Sequence, residues 1–295
     1  MTDAPAPARS RRPWRRGRKI ALALLTVYAL TMLFGCPADR LLLYPRPSAE
    51  SVFDASPRMV DFNGGTLEVF VARSPGTTRS EPVAFMLEFT GNATRAEDIA
   101  GWVASRWGER PVETWVMNYP GYGRSTGDAR LAALGPAALA TYDELAKLAA
   151  GRPIVLAGNS MGSAVALHVA TQRPVAGLIL QNPPPLRQIV LRDHGWWNLW
   201  LLAGPVALSI PASLDSVAQA RQVTVPAIFI MSDSDELVRP ALQRKILEAY
   251  AGPRRVITLV GKGHNDSLDR PMELREFGEA LDWLLSRSIA PEQQE

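Results

Sequence analysis

The stretch that most constrains the fold is Ile154-Val155-Leu156-Ala157-Gly158-Asn159-Ser160-Met161-Gly162. A short apolar run ends in Gly-x-Ser-x-Gly, and a helix-compatible segment from Ser163 to Gln172 follows at once. The serine is therefore predicted at a strand-to-helix turn. Gly158 and Gly162 carry no Cβ, which lets the chain turn sharply and lets the helix approach the sheet while Ser160 is held in strained backbone. A serine so placed is a candidate nucleophile. Its hydroxyl needs a base within hydrogen-bond reach, and that base needs a third group to orient it.

The rest of the chain supplies the sheet that such a turn requires. Apolar, β-prone runs are read at Arg58–Phe62 and Thr66–Arg73, joined by Asn63-Gly64-Gly65, a hairpin signal that makes the sheet begin antiparallel. Further strands are read at Val83–Phe89, Val112–Tyr119, Ile154–Gly158, Val175–Gln181, Ala227–Ser232 and Val256–Val260. Helix-like segments alternate with them, at Glu97–Trp107 and Gly135–Ala150. Leu134, Ala138, Tyr142, Leu145 and Ala149 form one stripe, and Leu274, Phe277, Leu281 and Leu285 form another in the last helix. Alternation of this kind implies right-handed crossovers and an α/β fold, with a mostly parallel central sheet and helices on both faces.

Only three histidines can serve as the base. His168 lies on the helix after Ser160, where a packed or surface role is usual, and His194 sits in an irregular Trp-rich insert. His264 stands in Gly261-Lys262-Gly263-His264-Asn265-Asp266, in a loop at the carboxyl end of a strand, where ligands meet open α/β sheets. The strand Ala227–Ser232 runs into Asp233-Ser234-Asp235-Glu236. This acidic cluster reads equally well as a solvated turn or as the source of the orienting acid.

Taken together, Gly158–Gly162, Asp235-Glu236-Leu237-Val238 after a strand, and Gly261–Asp266 resemble the α/β-hydrolase superfamily. Within it the sequence is most similar to membrane-anchored serine hydrolases of the abhydrolase-domain type. Tyr119-Pro120-Gly121-Tyr122-Gly123-Arg124-Ser125-Thr126-Gly127 resembles that group's loop after the fourth strand, and Asp39-Arg40-Leu41-Leu42-Leu43-Tyr44-Pro45 its membrane-proximal run. The resemblance implies a catalytic triad of Ser160, Asp235 and His264, with Asp235 rather than Asp233 matching the D-x-x-V spacing. It implies an oxyanion hole from the backbone N–H groups of Met161 and Asn92. The loop that usually reads His-Gly-Asn-Ala is here Thr90-Gly91-Asn92-Ala93, so the side chain that would support it is changed. No metal and no organic cofactor is implied.

Residues 183–223 fall where a cap is expected. They carry Trp196, Trp197 and Trp200 with Leu199, Leu201 and Leu202, which read either as an amphipathic helix packed on the domain or as part of an acyl-binding groove. The substrate expected is a small-molecule or lipid ester. An aminopeptidase or amidase on the same triad would need an acid for the substrate amine, with Asp193 and Asp215 as candidates. A third reading is a non-catalytic envelope protein that keeps the fold for binding.

The amino terminus is of a different character. Seven cationic residues between Arg9 and Lys19 against Asp3 place +6 of a formal +3 in the first nineteen positions, leaving −3 for the rest. The basic pI therefore reports a tail, and no nucleic-acid partner is expected. The uncharged run Ile20–Cys36 follows. It reads as a lipoprotein signal, with Leu33-Phe34-Gly35-Cys36 similar to a lipobox and Cys36 acylated, or as an uncleaved signal anchor. A lone cysteine excludes intramolecular disulfides. The basic tail stays cytoplasmic and the remainder is placed outside, in the cell envelope. The expected organisation is a signal or anchor at 1–36, a tether at 37–57 and a hydrolase-like domain at 58–290 with the cap inside it.

Overall fold

The structure, a computed structural model, describes residues 12–34, 38–50, 54–196, 201 and 203–289. The chain divides into two units between Pro37 and Ala38. The first holds helix α1, Arg12–Phe34. Among the described residues no helix is long and apolar enough to cross a membrane. Cys36, the expected attachment point, lies outside the described residues, as do Trp197 and Trp200 of the cap.

The second unit is built on an eight-stranded sheet in the order β1-β2-β4-β3-β5-β6-β7-β8. The strands are β1 Ser56–Phe62, β2 Gly65–Arg73, β3 Ala84–Phe89, β4 Val112–Met117, β5 Ile154–Asn159, β6 Gly177–Gln181, β7 Ala227–Ser232 and β8 Arg254–Leu259. The β1–β2 hairpin pairs antiparallel, as its turn residues predict, with Asn63 and Gly64 both at positive φ. β2 joins β4 antiparallel, and every pairing from β4 to β8 is parallel. β3, β4 and β5 are buried along almost their whole length, as strands covered on both faces must be.

Helices α3 (Ala100–Ser105) and α10 (Pro271–Ile289) share one face of the sheet. Val103, Trp107, Phe277, Leu281 and Leu284 pack there in one core with Met86, Val155, Ile179, Ile228 and Ile257. Helices α4 (Leu131–Ala149), α5 (Met161–Gln172) and α9 (Pro240–Ala249) pack on the other face. The chain leaves β3 to make β4 on one side and returns to make β5 on the other. The loops after β3 and β5 therefore diverge and leave a crevice at their carboxyl ends.

Three local departures have physical causes. The helix predicted at Glu97–Trp107 is a 3₁₀ turn, Ala96–Asp98, followed by the shorter α3. Glu97 turns inward instead of facing solvent, its carboxylate accepting from Asn118 Nδ2 at 2.9 Å and from the Ala49 amide at 3.0 Å. α4 begins at Leu131, before the predicted Gly135, because its first amide is capped from far along the chain: Leu131 N–H donates to Asp39 Oδ1 at 2.8 Å. The segment expected as a tether is anchored on the domain at several of its described residues. Helix α2 (Ala38–Leu42) buries Ala38, Leu43 is buried beside it, and Pro47 bridges to Gly123. The cap is a set of short helices, α6 Leu186–His194, α7 Ala203–Ser209 and α8 Ser216–Ala220.

Candidate active site

Ser160 occupies the turn between β5 and α5 at φ 50° and ψ −122°, a conformation non-glycine residues avoid. Its neighbours show why the turn is so tight. A Cβ on Gly162 would run into the Phe89 carbonyl oxygen, and one on Gly158 would meet the Gly162 carbonyl. The Ser160 amide is tied to the Gln181 carbonyl at 2.8 Å, and Ser163 Oγ donates to the Gly158 carbonyl at 2.7 Å. These bonds fix the elbow from β6 and from within α5.

His264 comes to the same point from the loop after β8. Its Nε2 lies 3.0 Å from Ser160 Oγ and its Nδ1 lies 2.6 Å from Asp235 Oδ2. Asp235, 3% exposed, follows β7 and accepts the Leu237 and Val238 amides on Oδ1 at 2.9 and 2.7 Å. Gln243 of α9 donates to Asp235 Oδ2 at 3.0 Å and to the Val238 carbonyl at 2.7 Å. With both carboxylate oxygens held, the acid is fixed in place. Asp233 turns away, its Oδ1 taking the Gly261 amide at 2.7 Å.

The loop bearing His264 has supports of its own. Asn182, at φ 47° just past β6, donates from Nδ2 to the His264 carbonyl at 3.0 Å and accepts the Ser232 amide on Oδ1 at 2.9 Å. Lys262 is nearly buried, and its Nζ donates to the Ser267 carbonyl, Asp269 Oδ1 and Glu273 Oε2, each at 2.6 Å. Burial opposes its charge, but the two carboxylates outweigh burial and raise its pKa.

Met161 opens α5, so its N–H belongs to the unpaired first turn of the helix. Among the described residues neither that N–H nor the Asn92 N–H donates a hydrogen bond. The loop carrying Asn92 keeps its shape without the histidine that Thr90 replaces. Asn92 Oδ1 accepts from Tyr122 Oη and the Tyr44 amide, both at 2.9 Å, and its Nδ2 donates to the Leu42 carbonyl at 2.7 Å. Tyr119 Oη donates to the Thr90 carbonyl at 3.1 Å. The loop after β4 is itself fixed by buried Glu68, which accepts from the Arg124 amide, Arg124 Nε and Asn118 Nδ2 at 2.8, 2.6 and 3.0 Å.

A cavity of about 470 Å³ opens in the crevice between the sheet and the α3–α10 layer. Its wall contains Gly91, Asn159 and Asn265, the chain neighbours of Asn92, Ser160 and His264. Met86, Ile179, Ile230, Trp102 and Phe277 make it mostly apolar, and none of the described residues of 183–223 lines it. Trp196 is 70% exposed. The cap acids are used elsewhere: Asp215 caps α8 and pairs with Arg187 at 3.2 Å, and Asp193 lies 3.9 Å from Arg239 Nη2. His168 packs against Gln219 with its pKa lowered by burial.

One residue of the cavity went unnoticed in the sequence. Glu88 continues the inward face of β3 begun by Ala84 and Met86, is 8% exposed, and lines the cavity. Burial pushes its carboxyl up to about 8 from an ordinary 4.5. Between those values the folded chain keeps a proton that the unfolded chain releases, so stability falls as pH rises across the window and the loss is complete above the folded pKa. At about 1.4 kcal/mol per unit the total approaches about 5 kcal/mol by pH 8. Glu88→Gln is expected to flatten the decline of Tm between pH 5 and 8, so that variant and wild type separate as pH rises. Parallel Tm curves would show that Glu88 does not titrate this way.

Comparison with known proteins places this architecture. Residues 91–215 match the model of the alpha/beta hydrolase family, a stretch that holds Asn92 and Ser160 but ends before Asp235 and His264. An uncharacterised protein of Mycobacterium tuberculosis is 26% identical over 254 residues, covering 84% of this chain and 87% of its own. Est1E from Butyrivibrio proteoclasticus superposes with a TM-score of 0.62 at 19% identity, over 80% of this chain and 99% of that one. An esterase of Pyrococcus furiosus gives a TM-score of 0.62 at 12% identity, over 84% and 98%. The chain has the α/β-hydrolase fold.

Proposed function

We propose that this chain of the α/β-hydrolase superfamily is a serine hydrolase that cleaves carboxylesters. The observation that carries the reading is the pair of contacts made by His264, 3.0 Å to Ser160 Oγ and 2.6 Å to Asp235 Oδ2. In the acylation step His264 Nε2 takes the proton of Ser160 as Oγ attacks the ester carbonyl, and the Met161 and Asn92 N–H groups hold the oxyanion. The tetrahedral species collapses, His264 returns the proton to the departing alcohol, and an acyl-enzyme remains. Water then attacks that ester with His264 again as base, releasing the acid and restoring Ser160. Asp235 keeps the Nδ1–H tautomer and favours the imidazolium through both steps. Ester substrates are further supported by the fold neighbours, which include an esterase of Pyrococcus furiosus and Est1E, the latter solved with ferulic acid bound.

The test is labelling by a fluorescent alkyl phosphonate, which reacts only with an activated serine. Wild type is expected to label and Ser160→Ala is not; a folded wild type that stays unlabelled would sink the enzyme reading.

We also place the domain outside the membrane, carried by the amino-terminal segment as a lipoprotein or a single-pass anchor. The support is sequence: the uncharged run Ile20–Cys36 behind a strongly basic tail. Metabolic labelling with a fatty acid is expected to mark wild type and to be lost in Cys36→Ser. Label that persists in the variant rules out attachment at that cysteine.

A further inference from the structure

Glu88 is a carboxyl at the cavity end of a largely apolar sheet face, beside Asn159 and Gln181, with no hydrogen-bond partner among the described residues. Such a group is costly to bury unless something is meant to meet it. The two other acids in the cavity wall are already engaged. Asp98 takes both Nε and Nη2 of Arg95 at 2.9 and 2.8 Å, and Asp266 accepts the Gly263 amide at 2.7 Å. Arg106 lies over the rings of Trp102 and Phe277 and donates from Nη1 to the Leu268 carbonyl at 2.7 Å, but its Nη2 has no hydrogen-bond partner among the described residues, and burial lowers its pKa against the pull of Glu273 and Asp269. Glu88 is thus the one acid of the wall left without a partner among the described residues, and three acids face a single guanidinium there.

The cavity suits the acyl part of a substrate better than the alcohol. The acyl group stays bonded to Ser160 after the alcohol has left, so a half-open cavity beside the elbow can hold it through both steps, whereas the alcohol must escape to solvent. We propose that this cavity receives the acyl group of the ester and that Glu88 selects acyl groups ending in a primary ammonium. The proposal rests on the ester-hydrolase reading of Ser160.

An ammonium supplies the positive charge that Glu88 lacks, and the carboxylate then accepts its N–H groups. Because the free carboxyl keeps its proton up to about pH 8, an incoming ammonium displaces that proton to solvent: acid and ammonium go in, carboxylate–ammonium pair and one proton come out. The signature is proton release on binding at neutral pH.

The experiment compares p-nitrophenyl esters of 3-aminopropanoate and butanoate, which differ in an ammonium against a methyl of nearly equal size. Full-length wild type, Glu88→Gln and Glu88→Leu are assayed at pH 8, with Ser160→Ala subtracted as background. Wild type is expected to favour the ammonium ester by about tenfold or more in kcat/KM, and the ratio is expected to fall to about one in both variants. A ratio near or below one in wild type, or one that survives in Glu88→Gln, overturns the proposal while turnover of butanoate leaves the ester reading intact. If neither ester is turned over, n-propylammonium is tested for protection of Ser160 against the phosphonate. Protection by it, absent with 1-propanol and lost in Glu88→Gln, supports the proposal, and no protection overturns it. Failure of wild type to label at all would instead remove the ester-hydrolase reading itself.

Discussion

Ser160→Ala and His264→Ala are each expected to lower kcat for a p-nitrophenyl ester by about 10⁶-fold, and the double variant is expected to lose no more than either alone. The reason is chemical interdependence. Without the base at 3.0 Å the Ser160 hydroxyl keeps its proton and is a weak nucleophile, and without the hydroxyl the base has nothing to activate. What should survive in all three proteins is the modest catalysis of the Met161 and Asn92 N–H groups and of binding, roughly 10³–10⁴ over water. Steady-state kinetics on the three variants reads this directly. Additive losses, with the double variant far below both singles, would mean that the two residues act in separate steps and that the Nε2–Oγ contact is incidental.

Asp235→Asn carries the next largest effect, a fall in kcat of about 10⁴-fold with little change in KM. The substitution preserves volume, and Oδ1 can still accept the Leu237 and Val238 amides. The atom facing His264 becomes an amide N–H₂, which also meets the N–H of Gln243 Nε2. A donor in that position favours the histidine tautomer with the proton on Nε2, which cannot take the serine's proton. Phosphonate labelling of the variant should slow in parallel. If kcat drops by less than about tenfold, the Asp235–His264 contact is structural only.

How much of this could be read from the sequence depends on how local each signal is. Gly158–Gly162 announces its own turn, because the two glycines and the strand before them are all in one run, and the parallel order follows from alternating strands and helices. Asp235 and His264 were legible only as residues at strand ends. Choosing Asp235 over Asp233 required the family spacing, and the structure shows Asp233 spent on the Gly261 amide. Gln243, Asn182 and Lys262 left no signal: Asn182 reaches a loop 82 residues on, and Gln243 and Lys262 bond partners 8 and 7 residues away across turns whose course the sequence does not specify. Their polar side chains look like ordinary surface positions until the fold brings the partners together. Glu88 did carry a signal: a carboxylate within Ala84–Phe89, a run short and apolar enough to be a strand covered on both faces, is out of place. Of the aromatic cluster in 183–223, which reads either as a packed helix or as part of a groove, Trp196 is the described tryptophan, and it faces solvent.

The bonds from Asn92 to Leu42 and Tyr44 bear on where this protein can be cut. A version trimmed of its basic tail and apolar run is the natural choice for expression, and the sequence invites a start near Arg58, where the first strand is read. Such a start deletes two of the partners that clasp the loop bearing Asn92, together with the Asp39 cap on α4. A shortened chain beginning at Ala38 keeps all three. The stretch that looks like a disposable leash is, in practice, the first piece of the folded α/β domain.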